Sequence, residues 1–355
     1  MSDGGRGRPR ARRSRAARAA GALAAAAAGL ALLAAAWIAF DVSGLWYLTD
    51  VAAHLLWRAA PAGAVGALLA AAAAAWAGAD PRLWIPAGLG AGLLLAAWWL
   101  VGSAASAPVG GAGPAGDDSW RVVVAHYNYY VWDQGPRDEA FAAWVDRVNP
   151  DVIGLVEAGS HILSAHPDLA DRYPHRIEPE PGLAWSALVL SKHPLELVES
   201  ELEPAARRRR YVAWRTVIVR PTDAADAAFL FAPVHYLSPR RPKPWRESVE
   251  AAGFDGAVLR RLSSRTGLPL VIASDINSTP AGEVYRRFAR ASGLRRPAGA
   301  HRIGTWPGSA PPWAALPIDW IWIGEGAAFE SFRVGPRCGS DHRPLTATIS
   351  ITPGP

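Results

Sequence analysis

The stretch VIASDINSTP, residues 271–280, indicates how the second half of the chain folds. Its apolar and small residues are typical of a buried β-strand, and they run directly into Asp275. Asn277 follows two positions later, so on an extended segment the carboxylate and the amide leave the chain on the same side. Such groups are costly to bury without partners. The stretch therefore predicts a buried strand that ends in a polar site.

Similar apolar runs recur through the second part of the chain and predict further strands. They are RVVVAHYN (121–128), DVIGLVEA (151–158), WSALVLSKHPLELV (185–198), YVAWRTVIVR (211–220), AFLFAPVHYL (228–237), PIDWIWIG (317–324) and CGSDHRPLTATISI (338–351). Helices are predicted only at 139–148, 245–264 and 282–291. A doubly wound parallel fold needs a helix after nearly every strand. We therefore expect an α/β fold in which two packed, mostly antiparallel or mixed sheets are flanked by helices in four layers.

The first third of the chain has a different character, with three apolar blocks at about 16–40, 59–77 and 83–101. Each is long enough to cross a bilayer as a helix. A signal peptide is the alternative for the first block, and buried soluble helices are the alternative for all three. The Arg-rich residues before the first block predict a cytoplasmic N-terminus, and three crossings then place the rest of the chain outside the cytoplasm. If only two blocks span, that part returns to the cytoplasm.

These patterns predict four regions and a multi-pass protein of the cell membrane. They are a basic cytoplasmic tail (1–15), a membrane region with three transmembrane helices (16–102), a flexible small-residue linker (103–118) and an extracytoplasmic domain (119–352).

Several kinds of site are excluded by the sequence. The single cysteine, Cys338, excludes an internal disulfide and a zinc site with several cysteines. No His-x-x-x-His pair, no Gly-x-Ser-x-Gly motif and no glycine-rich phosphate loop ending in Lys-Ser/Thr is present. Helical zinc-protease, serine-hydrolase and P-loop chemistry are therefore not indicated.

Eight polar residues lie at or beside the ends of the apolar runs and are the candidate site residues. They are Asn128, Glu157, His235, Asp275, Asn277, Asp319, Asp341 and His342. Any one of them taken alone has an ordinary structural explanation, such as an Asx turn at Asp275 or a core histidine at His235. Their joint occurrence at strand ends predicts one shared polar cleft.

The order of these motifs resembles the endonuclease/exonuclease/phosphatase superfamily. The resemblance runs from about Trp120 to Ile351 and rests on the strand-end Asn128, LVEA, PVHYLSP, SDINSTP, PIDWIWI and GSDHRPL. SDIN departs from the more usual Gly-Asp-Phe-Asn but keeps both polar residues. The membrane-anchored form further resembles a bacterial subgroup with short N-terminal helices and an exported catalytic domain. The resemblance implies a hydrolase of phosphoester bonds.

The resemblance also implies a role for each candidate residue. Glu157 would bind Mg²⁺, or Mn²⁺ as the alternative. Asn128 would add an amide oxygen or orient a metal-bound water, and Asp341 would be a further ligand. His342 would contact the scissile phosphate, and Asp319 would orient its ring. The remaining three would act on the water and on the phosphate: Asp275 as general base, Asn277 as a donor to the developing charge, and His235 as a phosphate contact or proton donor.

The expected protein is a membrane-tethered, metal-dependent phosphoesterase that acts at the outer membrane surface. Its expected substrate is a phosphomonoester, a phosphodiester or a pyrophosphate, and a lipid-linked substrate is one of the possibilities. An extracytoplasmic nuclease and a non-catalytic binding module are the alternatives. Two basic stretches, residues 207–210 and 240–246, bear on the choice. They are either solvated loops or a surface for phosphate or anionic lipid.

Overall fold

The structure is a computed structural model that describes residues 8–39, 47–110, 119–130, 137–159, 161–178, 187–198 and 215–353. The chain divides into two compact units, Met1–Ala104 and Ala105–Pro355. We call them the membrane unit and the catalytic unit, after the regions that the sequence predicts there.

The membrane unit consists of three helices, α1 (Arg8–Ala39), α2 (Tyr47–Trp76) and α3 (Pro81–Ser103). All three are long and apolar enough to cross a membrane, with candidate spans at Ala17–Trp37, Tyr47–Trp76 and Trp84–Ser103. The second begins at Tyr47, so the predicted start at about residue 59 is wrong. Polar residues interrupt the apolar run before that point, but His54 lies 3.3 Å from Asp50 one turn earlier on the same helix, where the two can pair.

Small side chains line the contacts among these helices. Ala28, Ala31, Ala64 and Ala91 are buried there, and a Cβ atom at Gly90 would lie 3.1 Å from the carbonyl oxygen of Ala28. Close approach over small residues is how membrane helices associate, because lipid offers no hydrophobic drive for it. The composition of this unit therefore fits a helical bundle in a bilayer.

The catalytic unit contains thirteen strands and five helices among its described residues. The strands are β1 (Ser106–Ala107), β2 (Trp120–Asn128), β3 (Val152–Val156), β4 (His175–Ile177), β5 (Leu188–Ser191), β6 (Leu195–Val198), β7 (Thr216–Val219), β8 (Phe229–His235), β9 (Leu270–Asp275), β10 (Arg296–Pro297), β11 (Asp319–Ile323), β12 (Ala327–Val334) and β13 (Leu345–Ile351). The helices are α4 (Arg137–Val148), α5 (His161–Ala165), α6 (Pro167–Arg172), α7 (Pro242–Thr266) and α8 (Glu283–Ser292).

The strands form two large mixed sheets, as the sequence predicts. One sheet has six strands in the order β12-β13-β2-β3-β5-β4, and the other has five in the order β11-β9-β8-β7-β6. Only β2–β3 and β8–β9 are parallel pairs within these two sheets. The break predicted at His193-Pro194 separates β5 from β6, which belong to different sheets. It is therefore the point at which the chain crosses from one sheet to the other.

The two sheets pack face to face over a core drawn from both. Its residues include Val122, Val124, Val152, Val217, Phe229, Phe231, Val271, Ala273, Ile321 and Ile323. At Gly154 of β3 the sheets approach so closely that a Cβ atom would lie 3.0 Å from both Ala273 Cβ and Phe231 Cζ. Glycine is required at such a point of contact because it has no side chain.

Helices cover the two outer faces and complete the four layers. Phe141 and Val145 of α4 pack with Ala125 and Ile153 on the outer face of the six-stranded sheet. On the five-stranded sheet, Phe288 of α8 contacts Trp322 of β11 at 5.5 Å between ring centroids. The four-layer architecture expected from the sequence is confirmed.

Two elements of the catalytic unit differ from the sequence predictions. Strand β12 was not predicted, because its charged and polar residues interrupt the apolar pattern of an edge strand that is half exposed. The predicted linker of residues 103–118 begins with residues that belong to the fold. Strand β1 pairs in parallel with β10, Ser106 opposite Arg296, and the N–H of Gly110 donates to the carbonyl of Phe329 at 3.1 Å. Residues 111–118 lie outside the described part.

Candidate active site

The candidate site residues meet at one edge of the paired sheets. In the five-stranded sheet, Asp275 ends β9 and lies in register beside His235, the last residue of β8, and Asp319, the first residue of β11. In the six-stranded sheet, Asn128 ends β2 and Glu157 directly follows β3. The polar residues that the sequence predicts to meet therefore form one buried cluster, from strand ends of both sheets.

Two of these residues have an unusual backbone conformation. Glu157 and Asn277 have φ values of 50° and 52°, in the left-handed region that residues other than glycine rarely adopt. Such conformations are retained where the surroundings hold them in place, and they cluster at functional sites. Here Glu157 directly follows β3, Asn277 lies two residues after the end of β9, and both side chains lie in the cluster.

Asn128 connects the carboxylates of the two sheets. Its Nδ2 donates to Glu157 Oε1 at 3.0 Å and to Asp275 Oδ2 at 2.9 Å. Its Oδ1 accepts from the backbone N–H of Tyr130 at 3.0 Å. Because the amide nitrogen faces the cluster, this geometry favours an orienting role for Asn128 over the predicted role as an oxygen ligand.

Asp275 is bound on both of its oxygens. Its Oδ1 accepts from the backbone N–H of Asn277 at 2.8 Å, and its Oδ2 accepts from the Asn277 side chain at 3.2 Å in addition to Asn128. The same Asn277 amide also donates to the carbonyl of Tyr236 at 2.8 Å. Asp275 and Asn277 therefore lie in one hydrogen-bonded turn, and both side chains belong to the cluster.

Asp319 lies between two histidines. Its Oδ2 is 2.8 Å from His342 Nδ1, which is the predicted pairing, and its Oδ1 is 3.1 Å from His126 Nε2. The other ring nitrogen of His342 points toward Asp275, with Nε2 at 3.7 Å from Oδ2. Sequence reasoning missed His126. Its position two residues before Asn128, on the same side of β2, is the signal that could have identified it.

The charges in this part of the cluster are strongly coupled. Burial and the neighbouring Asp319 both raise the pKa of Asp275. Burial would also raise the pKa of Asp319, but the charge of His342 and the hydrogen bond of His126 hold it well below its ordinary value. Burial would lower the pKa of His342, but Asp319 and Asp275 outweigh it and raise that pKa to about 10. At neutral pH Asp319 and His342 therefore form a buried ion pair.

The donors at this edge fit a divalent cation. Two groups, Glu157 with His235 and Asp275, and Asp275 with Asp319 and His342, each bring one potential ligand atom per residue within 4.8 Å of the others. In the first group, Glu157 Oε2 is buried and has no hydrogen-bond partner among the described residues. A buried carboxylate oxygen without a donor is costly, and a hard cation satisfies it.

Glu157 and His235 hold each other in their charged forms. His235 Nε2 lies 3.3 Å from Glu157 Oε1. Burial would raise the pKa of Glu157, but the hydrogen bond and charge of His235 hold it below its ordinary value. Burial would lower the pKa of His235, and its contact with Glu157 raises it instead.

Asp341 is the one predicted site residue that lies apart from these groups. Its Oδ2 accepts from Trp306 Nε1 at 3.0 Å, and its Oδ1 lies 3.4 Å from Ser340 Oγ. It belongs to neither group of potential ligand atoms found among the described residues. The ligand role of Asp341 therefore stays a prediction.

One of the two basic stretches leads away from the site. Strand β8 ends at His235, and the chain then passes through 240–246 into the first turn of α7, where Arg240, Arg241, Lys243 and Arg246 are exposed. The other stretch, residues 207–210, lies outside the described residues.

Comparison with known proteins agrees with this geometry. The model of the endonuclease/exonuclease/phosphatase family matches residues 124–342. No curated protein matches the sequence significantly.

Three similar solved structures show the same fold at low identity. A family protein from Bacteroides thetaiotaomicron has a TM-score of 0.52 and 16% identity, and the match covers 66% of this chain and 96% of that protein's chain. The mannosyl-6-phosphatase of the same species has a TM-score of 0.51 and 17% identity, covering 64% and 99%. Truncated TDP2 of Caenorhabditis elegans has a TM-score of 0.51 and 18% identity, covering 65% and 98%.

The family match covers more than half of the chain and includes every candidate residue. The chain belongs to the endonuclease/exonuclease/phosphatase family, whose members are metal-dependent hydrolases of phosphoester bonds.

Proposed function

We propose that this protein is a membrane-tethered phosphoesterase that hydrolyses a phosphate ester or pyrophosphate at the outer surface of the bilayer. The observation that carries the catalytic part is the cluster at the sheet edge, where Glu157, Asp275 and the Asp319–His342 pair lie together and buried. A binding module without activity would have no need to keep carboxylates this close, because their mutual repulsion is costly.

Each residue has a role that follows from its contacts. Asp275 accepts a proton from the attacking water, and its raised pKa brings it closer to neutral pH, where a general base works best. His342 is cationic, held by Asp319, and presents Nε2 to the phosphate. Asn277 and His235 lie beside each other next to Asp275, and we assign both to the charge that develops on phosphorus.

Glu157 would be the main anchor of the metal, with the carboxylate of Asp275 as a second donor near it. The two carboxylates and the role of the ion at a phosphate favour Mg²⁺, with Mn²⁺ as the alternative. When bound, the cation neutralises charge on the phosphate oxygens.

The membrane assignment rests on the three candidate spans, which are long and apolar enough to cross a bilayer. A tether to the membrane favours a substrate that the membrane carries. The exposed cations of residues 240–246 support the same view, because each Lys or Arg near an anionic surface contributes about 1 kcal/mol.

The test is hydrolysis by the full chain in liposomes with Mg²⁺, against a lipid pyrophosphate, a soluble phosphomonoester and plasmid DNA. His342→Ala serves as the control for contaminating enzymes. We expect the lipid pyrophosphate to be cleaved with the highest kcat/KM. Preference for the soluble ester would refute the membrane-bound substrate, and no hydrolysis of any compound would refute the enzymatic function.

A nuclease is the second candidate, and the exposed basic residues 240–246, which follow His235 in the chain, favour it. Among the solved structures with the same fold is a Danio rerio TDP2 with a single-stranded DNA product. Cleavage of plasmid or single-stranded DNA that exceeds cleavage of the lipid, and that is lost in His342→Ala, would establish this function in place of the first.

The orientation of the catalytic unit is a separate part of the proposal. The Arg-rich residues before α1 and the odd number of spans support a cytoplasmic N-terminus and an external catalytic unit. Reporters fused after Pro355 test this, one active only in the cytoplasm and one active only outside. Activity of the cytoplasmic reporter would refute the orientation.

A further inference from the structure

His126 is a buried histidine to which the roles above assign nothing. It lies on β2, two residues before Asn128 and on the same side of the strand. Its side chain is fully buried, and its Nε2 lies 3.1 Å from Asp319 Oδ1, on the opposite sheet. The contact joins a strand of the six-stranded sheet to the first residue of β11.

The chemistry of the contact fixes which group donates. An ionised carboxylate has no hydrogen to give, so each nitrogen that binds Asp319 must carry one. His126 therefore donates from Nε2, and His342 donates from Nδ1. The other nitrogen of His126, Nδ1, is buried without a partner among the described residues, so the contact with Asp319 is the side-chain hydrogen bond that this ring makes there.

The two histidines bind the two different oxygens of the Asp319 carboxylate. The terminal torsion of an aspartate is soft, so a carboxylate bound through one oxygen can turn and take its partner with it. A second donor on the other oxygen removes that freedom. The backbone adds to this restraint, because His126 lies in register opposite Leu345 of β13, three residues after His342.

We propose that His126 is a positioning residue that acts through Asp319 to fix the ring of His342. This inference rests on the proposed role of His342 in phosphoester hydrolysis. In its absence the Asp319 carboxylate is free to rotate, and His342 Nε2 is no longer held in line with Asp275 and the phosphate. The loss falls on the transition state, where alignment matters most, and so on kcat more than on KM.

Two variants of similar size distinguish the effect of losing the N–H donor from the effect of changing the size of the side chain. His126→Gln keeps an N–H donor on a side chain of similar reach, and His126→Met removes the donor but keeps the length. For the full chain in detergent micelles, we expect His126→Met to lower kcat about 10- to 100-fold, as loss of an orienting partner commonly does, with little change in KM. His126→Gln should recover most of the rate.

The matched control is His175→Gln, at the start of the edge strand β4, for which we expect wild-type kinetics. If His126→Met does not fold, as judged by circular dichroism, the test moves to His126→Leu, which also lacks the donor, alone and in an Asp319→Asn background. A residue that acts through Asp319 causes no further loss there, and an additional loss would overturn the inference. Equal kcat for the Gln and Met variants would also overturn it.

A second readout does not depend on activity. In protein labelled with ¹⁵N-histidine, the Nδ1 proton of His342 should give a low-field NMR signal that exchanges slowly with water in the wild type and in His126→Gln. In His126→Met we expect this signal to broaden or disappear, and its persistence unchanged would refute the positioning role. If the signal behaves as expected but no phosphoester is hydrolysed, the positioning stands and the proposed function falls.

Discussion

The change Glu157→Gln tests the metal site most directly, because it removes one charge and leaves the shape almost unaltered. The amide oxygen of glutamine can still accept from Asn128 Nδ2, now at 3.0 Å from Glu157 Oε1. Its NH₂ group then takes the place of Oε2, the buried oxygen without a partner among the described residues. An amide nitrogen does not bind Mg²⁺, so the substitution removes a ligand while the fold stays intact.

The size of the effect follows from linkage between binding and folding. With free Mg²⁺ at about 100 times the dissociation constant, the wild type gains about 2.7 kcal/mol of stability. A hundredfold weaker site under the same conditions gains only about 0.4 kcal/mol. At about 2–4 °C per kcal/mol for a domain of this size, the metal should raise the unfolding temperature by about 5–11 °C in the wild type and by about 1 °C in Glu157→Gln.

Thermal unfolding of the full chain in micelles, with Mg²⁺ and with chelator, measures this difference. Glu283→Gln is the matched control, because Glu283 and Glu157 are both 7% exposed and each contacts a basic side chain. The control should lose some stability under both conditions and keep the full metal-dependent shift. Equal shifts in wild type and Glu157→Gln would show that Oε2 does not bind the metal.

Three further predictions test other parts of the site. Asp275→Asn should lower kcat about 10²–10⁴-fold, since an amide cannot act as a base. Steady-state kinetics measure this effect, with folding checked by circular dichroism. Near-normal activity would mean that the SDIN segment is only a structural turn. His342→Ala should lower kcat by a similar factor, and Asp319→Asn should lower it less. The double variant should be no slower than His342→Ala alone, because Asp319 acts through His342. Additive losses in kcat would contradict the pairing of these two residues. Gly308→Ala should lower the free energy of unfolding by about 1–3 kcal/mol and should also lower kcat, because its Cβ would lie 3.1 Å from the carbonyl oxygen of His342. Gly253→Ala is the control, since no atom lies within 4 Å of its Cβ. Equal effects of the two substitutions would refute the role of this close contact.

The strand ends of the site could be predicted from the sequence because the signal is local. An apolar run sets the strand, and the first polar residue after it marks where the strand leaves the core. Asp275, Glu157 and Asn128 were found in this way, and all three lie in the cluster. The mixed sheets were predictable for a similar reason, since the scarcity of helices between strands excludes an all-parallel order.

The contacts across the cluster could not be predicted, because they depend on which strands become neighbours. His126 lies in a strand whose other residues are mostly apolar, and its partner Asp319 is 193 positions away. Asp341 shows the same limit in the other direction. It precedes His342 in the chain, yet the loop directs only the histidine into the cluster and leaves the aspartate with Trp306.

The site also depends on how the two sheets pack, since its principal contacts cross from one sheet to the other. Asn128 binds Asp275 across this gap, and both His126 and His342 bind Asp319 across it. The spacing of these groups is therefore set by the core beneath them, where Gly154 allows Ala273 and Phe231 to approach. A larger residue at Gly154 would separate the sheets by a few tenths of an ångström under the site, and hydrogen bonds weaken with small changes of length and angle. The core of this protein is thus part of its catalytic geometry, and the close packing of the sheets holds the catalytic groups of the two halves in register.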